Sequence, residues 1–329
     1  MAINKNISII LAPFGVGGPN NAAKDGPKAL MNNHLDDDLR ELGFNVKIIK
    51  PPSAISHQPS VISSNKKNRI KNIEAIVKIN EWLAKTVASE ITKGRIPLTI
   101  GGDHSLAIGT IAGTVNALKD IGVLWIDRHF DAHSPKNTTS WRAHGMPAAV
   151  ATSSKSYDLH PDFQRLLKIG RRDWVTPFVK PENFVHFAIG EKSRVPPKTK
   201  WYLMEDIDNL GIKKTIEDAV RYLSKRVKRI YIAWDIDSMN VTGTGTSGDS
   251  QLTLREGLVI ARTINKEIRE KGKLAGFELM EIAPKLEKKH LTGQTIDWTI
   301  QIIATSFGDN LFNNFARMTR NINMHAKDL

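Results

Sequence analysis

Two short apolar runs in this chain end directly in aspartates, and this feature constrains the fold more than any other. Ile121–Ile126 is followed by Asp127, and Ile230–Trp234 is followed by Asp235. Runs of this length and composition are typical of buried strands. Because a buried carboxylate has to be neutralised, paired or bound to a metal ion, the two strand ends predict a shared polar site.

Strand-like and helix-like segments alternate along most of the chain. The alternation predicts a three-layer α/β/α fold, in which helices cover both faces of a mainly parallel central sheet. We find no internal repeat and no linker, so residues 1–329 are interpreted as a single domain. The predicted strands are Ser8–Ala12, Asn45–Ile49, Ile96–Gly101, Ile121–Asp127, Asn183–Ile189, Trp201–Met204, Arg229–Asp235 and Lys273–Met280.

The predicted helices lie between these strands. One of them begins with a capping box, in which Thr253 is the N-cap and Glu256 follows three residues later. Residues 50–67 and 135–142 are predicted to be loops. The helices are Gly26–Asn33, Leu35–Leu42, Asn68–Lys93, Ser105–Leu118, Asp162–Lys168, Lys214–Lys228, Thr253–Lys271 and Thr295–Phe307.

The composition excludes several classes of protein. The chain has no cysteine, which rules out disulfides, thiolate ligands and a cysteine nucleophile, and weakly favours a cytoplasmic location. The short apolar run Ile7–Leu11 is interpreted as the first strand and not as a signal peptide. No apolar run is long enough to cross a membrane, so we expect no membrane partner.

The net charge of +13 comes from basic residues that are spread along the chain. We interpret them as a solvated surface and expect no nucleic-acid partner, because no nucleic-acid-binding motif accompanies them. A submicromolar, salt-sensitive affinity for DNA would contradict this interpretation. The basic segments are Lys66–Lys71, Arg171–Arg172, Lys192–Lys200, Lys225–Arg229 and Lys285–Lys289.

Acids and histidines follow several of the predicted strands. Ligands of parallel sheets bind beyond the carboxyl ends of the strands, so these side chains are expected at one edge. Residues two apart on an extended chain face the same side, which predicts that they converge. Carboxylates and imidazoles without thiolates suit a pair of hard or borderline divalent ions such as Mn²⁺. The candidates are His104, Asp127, His129, Asp131, His144, Asp235, Asp237 and Glu281.

Some of these residues also have an ordinary structural explanation. Gly101–Ser105 alone is best explained as a strand-to-helix turn with Ser105 capping the next helix. His144 alone is more often structural than catalytic, and Glu281 alone suits a salt bridge. Asp127 and Asp235 are the hardest to explain without a metal ion.

Taken together, these motifs resemble the ureohydrolase (arginase/agmatinase) family, and its arginases most. Five family motifs occur here in the same order over most of the chain. The opening of the chain and the segment after the second acid pair are similar too. The matching segments are Gly101–Ser105, Asp127–Asp131, His144–Pro147, Asp235–Asp237, Glu281–Pro284, Ala12–Gly17, Gly26–Pro27 and Leu252–Gly257.

The resemblance implies an enzyme, a binuclear-metal amidinohydrolase with two Mn²⁺ ions per subunit. The two metal ions would lie roughly 3.5–4 Å apart and share a bridging hydroxide. This hydroxide would hydrolyse the guanidino group of L-arginine to L-ornithine and urea. His144 corresponds to the proton-carrying histidine, whose pKa is expected near neutral, and Glu281 to the partner of the guanidinium. The resemblance gives Asp131 two roles, one as a catalytic residue with His144 and Glu281 and one as a metal ligand. The implied metal ligands are His104, Asp127, His129, Asp131, Asp235 and Asp237.

The resemblance also implies where the rest of the substrate binds. Fifteen residues separate His129 from His144, a spacing similar to that of arginases, and this puts His133 and Ser140 at the α-carboxylate. Glu191 is the candidate partner of the α-amino group. A carboxylate site favours L-arginine over agmatine. By resemblance alone, we expect a homo-oligomer, a trimer or a hexamer.

The sequence departs from the family at the predicted mouth of the pocket. Arg128 replaces a small residue beside Asp127 and is expected to point away from the metals. Trp141 and Arg142 replace a small pair, and the loop after Asn240–Val241 is about three residues shorter. The alternatives are therefore another ureohydrolase (agmatinase or guanidinobutyrase type), a catalytically impaired metal-binding relative, or an amidohydrolase acting on acetylated amines.

Overall fold

The computed structural model describes residues 3–56, 67–171, 175–191, 196–246 and 251–308. Part of the loop predicted for residues 50–67, and parts of the basic segments at 66–71, 171–172 and 192–200, lie outside the described residues. Within these ranges, no helix is both long and apolar enough to cross a membrane.

A parallel eight-stranded sheet forms the centre of the molecule, with strand order β2-β1-β3-β8-β7-β4-β5-β6. Every strand pair in it is parallel, which confirms the predicted fold class. The strands are β1 (Asn6–Leu11), β2 (Asn45–Ile49), β3 (Ile96–Ile100), β4 (Ile121–Ile126), β5 (Phe184–Ile189), β6 (Lys200–Leu203), β7 (Arg229–Asp235) and β8 (Leu274–Met280).

Helices cover both faces of the sheet. One face packs against α1, α2, α8, α9, α10 and α11, and the other against α4, α5, α6 and α7. The helices in the described residues are α1 (Gly26–Asn32), α2 (Leu35–Glu41), α3 (Ser53–Ser56), α4 (Ile73–Thr92), α5 (Ala107–Leu118), α6 (Pro147–Thr152), α7 (Pro161–Lys168), α8 (Met204–Leu210), α9 (Ile212–Ser224), α10 (Leu254–Thr263) and α11 (Gln294–Phe307).

The central strands are buried along their full length because both faces of the sheet are covered. Every residue of β3, β4, β5 and β8 is buried. Continuous apolar runs are the pattern expected for strands of this kind. This burial explains why the strands could be recognised without any alternation of polar residues.

The helix predicted for Asn68–Lys93 was placed too early. Asn68 and Asn72 have positive φ values of 59° and 57°, so the chain is not helical there, and α4 begins at Ile73. Asn72 is fixed in this conformation by a hydrogen bond of 2.8 Å from its side-chain amide to the Val16 carbonyl. A tertiary contact has overridden the local helical pattern.

Two other helix predictions differ from the structure, and some short helices were not predicted. The Thr253–Glu256 capping box is present, but a π-helical stretch, Ile264–Arg269, follows α10 in place of a continuous α-helix to Lys271. The helix predicted at Lys214–Lys228 lies earlier, at Ile212–Ser224. Three short helices, α3, α6 and α8, were not predicted, because four to seven residues are too few to show a helical period, and α3 lies in the segment predicted to be a loop.

Candidate metal centre

Four neighbouring strands bring the candidate residues to one edge of the sheet. The strands β3, β8, β7 and β4 are adjacent in the sheet, and the predicted segments follow their carboxyl ends. Loops at this edge therefore meet although they are distant in sequence. The structure brings together all six of the predicted ligands, which are His104, Asp127, His129, Asp131, Asp235 and Asp237.

The imidazole of His104 lies at the centre of the first group. Its Nδ1 is 3.1 Å from an oxygen of Asp127, 3.3 Å from one of Asp131 and 3.0 Å from one of Asp235. The His104 side chain is fully buried, and neither ring nitrogen makes a hydrogen bond to any described residue. One nitrogen facing three carboxylate oxygens is the arrangement expected around a cation.

A second group adjoins the first and shares Asp127. The Nδ1 atom of His129 is 3.5 Å from Asp127 Oδ1 and 3.0 Å from Asp237 Oδ2. Each oxygen of Asp127 therefore faces a different histidine. A carboxylate in this position can bridge two ions.

The predicted reason for the convergence was wrong. The chain is not extended beyond Asp127 or Asp235, since β4 ends at Ile126 and Ile236–Ser238 is a single 3₁₀ turn. Instead, each carboxylate accepts a hydrogen bond from the backbone N–H two residues later. The distances are 2.6 Å from His129 to Asp127 and 2.8 Å from Asp237 to Asp235. These local bonds turn the chain back toward the centre.

A similar bond holds the turn after β3. Asp103, and not Ser105, caps the following helical turn, because its carboxylate accepts the Ser105 N–H at 3.1 Å. Its other oxygen accepts the Gly17 N–H at 2.9 Å, which connects the first loop of the chain to the centre.

Two residues that support the ligands, Trp125 and Thr246, were not predicted. The His104 ring stacks on Trp125, with 4.1 Å between centroids and 9° between planes, and Trp125 Nε1 donates to Asp127 Oδ2 at 2.9 Å. The Thr246 hydroxyl donates to Asp237 Oδ2 at 2.5 Å. In the sequence, Trp125 belongs to an apolar run, and its place two residues before Asp127 is the signal that points to this contact.

Burial and mutual repulsion dominate the electrostatics of the cluster. Burial, together with the charges of Asp237 and Asp127, raises the pKa of Asp235 well above its ordinary value. Burial and Asp127 raise the pKa of Asp131 to about 7. For Asp127, burial would raise the pKa, but the contacts with His104 and His129 hold it below its usual range. Buried carboxylates in such a group need positive charge beside them.

The donor set fits divalent metal ions. It contains four buried carboxylates and two imidazoles, and no lysine or arginine forms an ion pair with these carboxylates in the described part of the chain. Oxygen and imidazole donors suit Mn²⁺ and related ions. The groups around His104 and around His129 each have the residue types of a metal site, and their ligand atoms lie within 4.8 Å of one another. The shared Asp127 makes the two groups neighbours.

His144 and Glu281 lie beside each other next to this cluster. The His144 Nδ1 atom is 3.9 Å from Glu281 Oε1, and this oxygen also accepts the His104 N–H at 3.0 Å. The pKa of His144 was expected near neutral, but burial, and then the charges of His129 and Arg142, lower it to about 3. The imidazole is therefore uncharged at neutral pH.

The Glu281 carboxyl is almost completely buried. Burial, and then the charges of Asp235 and Asp103, raise its pKa well above the ordinary value. No lysine or arginine among the described residues pairs with it. A cationic group brought beside Glu281 would therefore find a carboxyl that lacks a counter-charge.

The predicted substrate-tail residues lie on the loops around the centre. His133 is half-buried, donates its backbone N–H to the Gly145 carbonyl at 2.9 Å, and has no described partner for Nδ1. Ser140 is exposed, and its hydroxyl accepts the Arg142 N–H at 3.3 Å. Glu191 accepts the Phe130 N–H at 3.4 Å. These contacts leave the Ser140 hydroxyl hydrogen able to donate.

Hydrogen bonds join the loops at the mouth. Arg142 donates to the Gly18 carbonyl, and the His144 N–H donates to the Gly17 carbonyl at 3.2 Å. Asn20 donates to the Gly245 carbonyl at 3.3 Å, which adds the shortened loop to the group. The mouth is therefore built from three segments that are far apart in sequence.

Comparison with known proteins gives a consistent result. Residues 5–308 match the model of the arginase family. Arginase-1 of Oryctolagus cuniculus is 33% identical over 319 residues, covering 93% of this chain and 94% of that protein. Arginase-1 of Homo sapiens is also 33% identical, over 323 residues, with the same coverage of both chains.

Solved structures of similar proteins share the fold. The arginase of Bacillus caldovelox superposes with a TM-score of 0.80 at 27% identity, covering 93% of this chain and 99% of that one. The arginase of Bacillus subtilis gives a TM-score of 0.76 at 28% identity, covering 93% of this chain and all of that one.

Proposed function

The chain belongs to the arginase family of hydrolases, and on that premise we propose that it hydrolyses the guanidino group of L-arginine to L-ornithine and urea. The observation that carries this proposal is the position of an uncharged His144 and an uncompensated Glu281 next to a six-residue cluster of metal-type ligands. Hydrolysis of a cationic, planar group requires an activated water, a proton carrier and a carboxylate to hold the cation.

We assign the cluster two Mn²⁺ ions per chain. His104, Asp131 and Asp235 would hold one ion, His129 and Asp237 the other, and Asp127 would bridge them. When bound, the ions would neutralise the carboxylates and activate a water for attack near neutral pH. Carboxylates outnumber imidazoles by four to two in this ligand set, which supports manganese.

Glu281 is assigned to the substrate guanidinium. A guanidinium and a carboxylate form two charge-assisted hydrogen bonds in one plane, which fixes the carbon that is attacked. Arriving cationic substrate would also supply the charge that Glu281 lacks. The N–H of His104 already holds one oxygen of Glu281 at 3.0 Å, so the carboxyl group has a fixed orientation.

His144 is assigned to proton transfer. Its imidazole is uncharged, and its Nδ1 lies 3.9 Å from Glu281, beside the place where the guanidinium would bind. A neutral imidazole can accept a proton and then donate it to the leaving amine. The bond from its own backbone to Gly17 keeps the ring at the mouth of the site.

L-Arginine is proposed over agmatine because of the loop between His129 and His144. His133 has a ring nitrogen without a partner among the described residues, and Ser140 can donate a hydroxyl hydrogen, so both suit a carboxylate. Agmatine has no carboxylate and would leave such groups without a partner. The Nδ1 atom of His133 is buried, and leaving a buried polar group unpaired costs about 1–3 kcal/mol, whereas the exposed Ser140 hydroxyl would turn to water.

The test is a panel of guanidino compounds with Mn²⁺-loaded protein, scored by urea release. We expect kcat/KM for L-arginine to exceed that for agmatine by more than about tenfold, because the single unpaired nitrogen of His133 already accounts for this factor, and we expect it to exceed that for 4-guanidinobutyrate, which has no α-amino group for Glu191. Ser140→Ala should reduce the preference. Thr139→Ala is the matched control, since it changes the neighbouring exposed side chain.

Each of the other possible assay results supports one of the alternative functions. Faster hydrolysis of agmatine or guanidinobutyrate would make the protein another type of ureohydrolase. Metal binding without urea release from any compound would support a catalytically impaired relative. Amine release from an acetylated polyamine would support an amidohydrolase. A cytoplasmic location is proposed from the absence of cysteine, and a homo-oligomeric state from the family resemblance.

A further inference from the structure

A buried acid behind the metal cluster has no part in the reaction proposed above. Glu278 lies in the middle of β8 and is 0% exposed. It lies on the face of the sheet that α5 covers, where Thr110 of α5 and Tyr231 of β7 contact it. Burying a carboxyl group in a sheet is costly unless its oxygens have partners.

Only one oxygen of Glu278 has partners among the described residues. Oε2 accepts hydrogen bonds from the Thr110 and Tyr231 hydroxyls, the latter at 2.9 Å, whereas Oε1 accepts none. An acceptor buried without a partner is rare in folded proteins and calls for an explanation.

The surroundings of Glu278 are shaped to hold this carboxyl group. A side chain at Gly276 would approach the Tyr231 ring to 2.9 Å, so the glycine allows this ring to lie across β8. The hydroxyl group thereby reaches the carboxyl. Thr99, the neighbour of Glu278 on β3, also has a buried hydroxyl without a described partner.

The His104 ring occupies the adjoining position above the sheet. Trp125, Ala233 and Glu278 are neighbours across β4, β7 and β8, and His104 stacks on Trp125. The small Ala233 leaves room beside the indole for the imidazole.

The second nitrogen of His104 lacks a partner too. Nδ1 faces the three carboxylates, whereas Nε2 is buried and has no hydrogen bond to a described residue. A histidine that binds a metal through Nδ1 carries its proton on Nε2. Such ligands almost always donate that proton to a carboxylate, a carbonyl or a water.

We propose that Glu278 is a positioning residue for His104, and that its Oε1 receives the Nε2 proton of the metal-bound imidazole through one buried water. His104 Nε2 and Glu278 Oε1 form no direct hydrogen bond with each other, and the Thr99 hydroxyl is a third partner for this water. A buried water typically makes about three hydrogen bonds. The inference rests on the proposed metal centre, and Glu278 itself contacts neither metal nor substrate.

The test measures Mn²⁺ affinity by titration calorimetry in the full-length protein, with no substrate present. Glu278→Met removes the acceptor, and we expect about tenfold to hundredfold weaker binding at one of the two sites, the usual effect of losing such a partner. Glu278→Gln keeps an acceptor and should restore binding to within about threefold. Tyr231→Phe leaves Oε1 untouched and should bind like the wild type.

The outcomes separate this inference from the proposed function. Wild-type affinity in a folded Glu278→Met variant overturns the role of Glu278, as does an equal loss in Tyr231→Phe. A wild-type protein that binds no divalent ion contradicts the metal centre itself. If Glu278→Met does not fold, ¹⁵N NMR of the Cd²⁺-loaded wild type tests the proposal in its place, through the exchange rate of the proton on His104 Nε2. We expect a slowly exchanging proton on His104 Nε2, and a rapidly exchanging one overturns the proposal.

Discussion

At the scale of single residues, the charge state of His144 determines what it can do. Burial, and then the charges of His129 and Arg142, lower its pKa to about 3, so the ring is uncharged before substrate binds. We expect His144→Asn to lower kcat by about 10²–10⁴, because the leaving amine then lacks its proton donor. Steady-state kinetics with L-arginine measure this effect.

Two controls accompany this measurement. Metal content and melting temperature should not change, since no ligand is altered, and the exposed His34→Asn variant should keep wild-type kcat. A His144→Asn enzyme with near wild-type kcat would mean that the histidine is structural, or that another group protonates the amine.

At the scale of elements, Glu90 joins α4 to the first strands. It is almost completely buried, and it accepts hydrogen bonds from Ser8 of β1 at 2.8 Å and from Lys47 of β2 and Lys93 at about 3 Å. Burial acts to raise its pKa, but these bonds outweigh it and lower the pKa from 4.5 to about 2. The carboxylate therefore stabilises the fold only while it is charged.

The pH dependence follows from the sign of this shift. The stabilisation is complete above pH 4.5, the unfolded value, and is lost as the pH falls toward 2. Since the two lysines are about half exposed, we expect Glu90→Gln to lower the free energy of unfolding by about 1–3 kcal/mol at pH 7. The difference should shrink by more than half at pH 3.

Urea unfolding of both proteins at the two pH values measures this difference. Glu74→Gln is the matched control, because Glu74 pairs with Arg165 but is 80% exposed, and it should cost less than about 0.5 kcal/mol. A Glu90→Gln effect that is the same at both pH values would mean that packing, and not charge, is responsible.

At the scale of the whole molecule, the metal cluster connects segments that only folding brings together. We expect about two Mn²⁺ ions per chain. Because the unfolded chain has no such site, a metal concentration of 100 times Kd should add about 2.7 kcal/mol to stability. The melting temperature should rise with Mn²⁺ and fall again with a chelator.

Single ligand changes test this expectation. Asp127→Asn or Asp235→Asn should remove at least one ion and most of the thermal shift, as seen by elemental analysis and calorimetry. Asp158→Asn, a buried carboxylate in another part of the fold, is the control and should keep both ions. Stoichiometric zinc, or no metal at all, with the two ligand variants unchanged would contradict the assignment.

The sequence by itself determined the elements and the residues at their ends. Apolar runs such as Ile121–Ile126 specified the strands, and the aspartates after them specified where charge had to be compensated, because both are properties of neighbouring residues. Local patterns also gave the capping box at Thr253. They failed where a distant contact intervened, as when Asn72 bonds to Val16 and delays the start of α4.

Only the tertiary structure decided which of these segments became neighbours. The insertion of β8 between β3 and β7 puts Glu281 beside His104, and the register of β4, β7 and β8 puts Trp125 and Glu278 in one row. Parallel strands far apart in sequence have no local pattern that fixes their order or register. That choice depends on how the whole chain buries its apolar surface and pairs its buried polar groups.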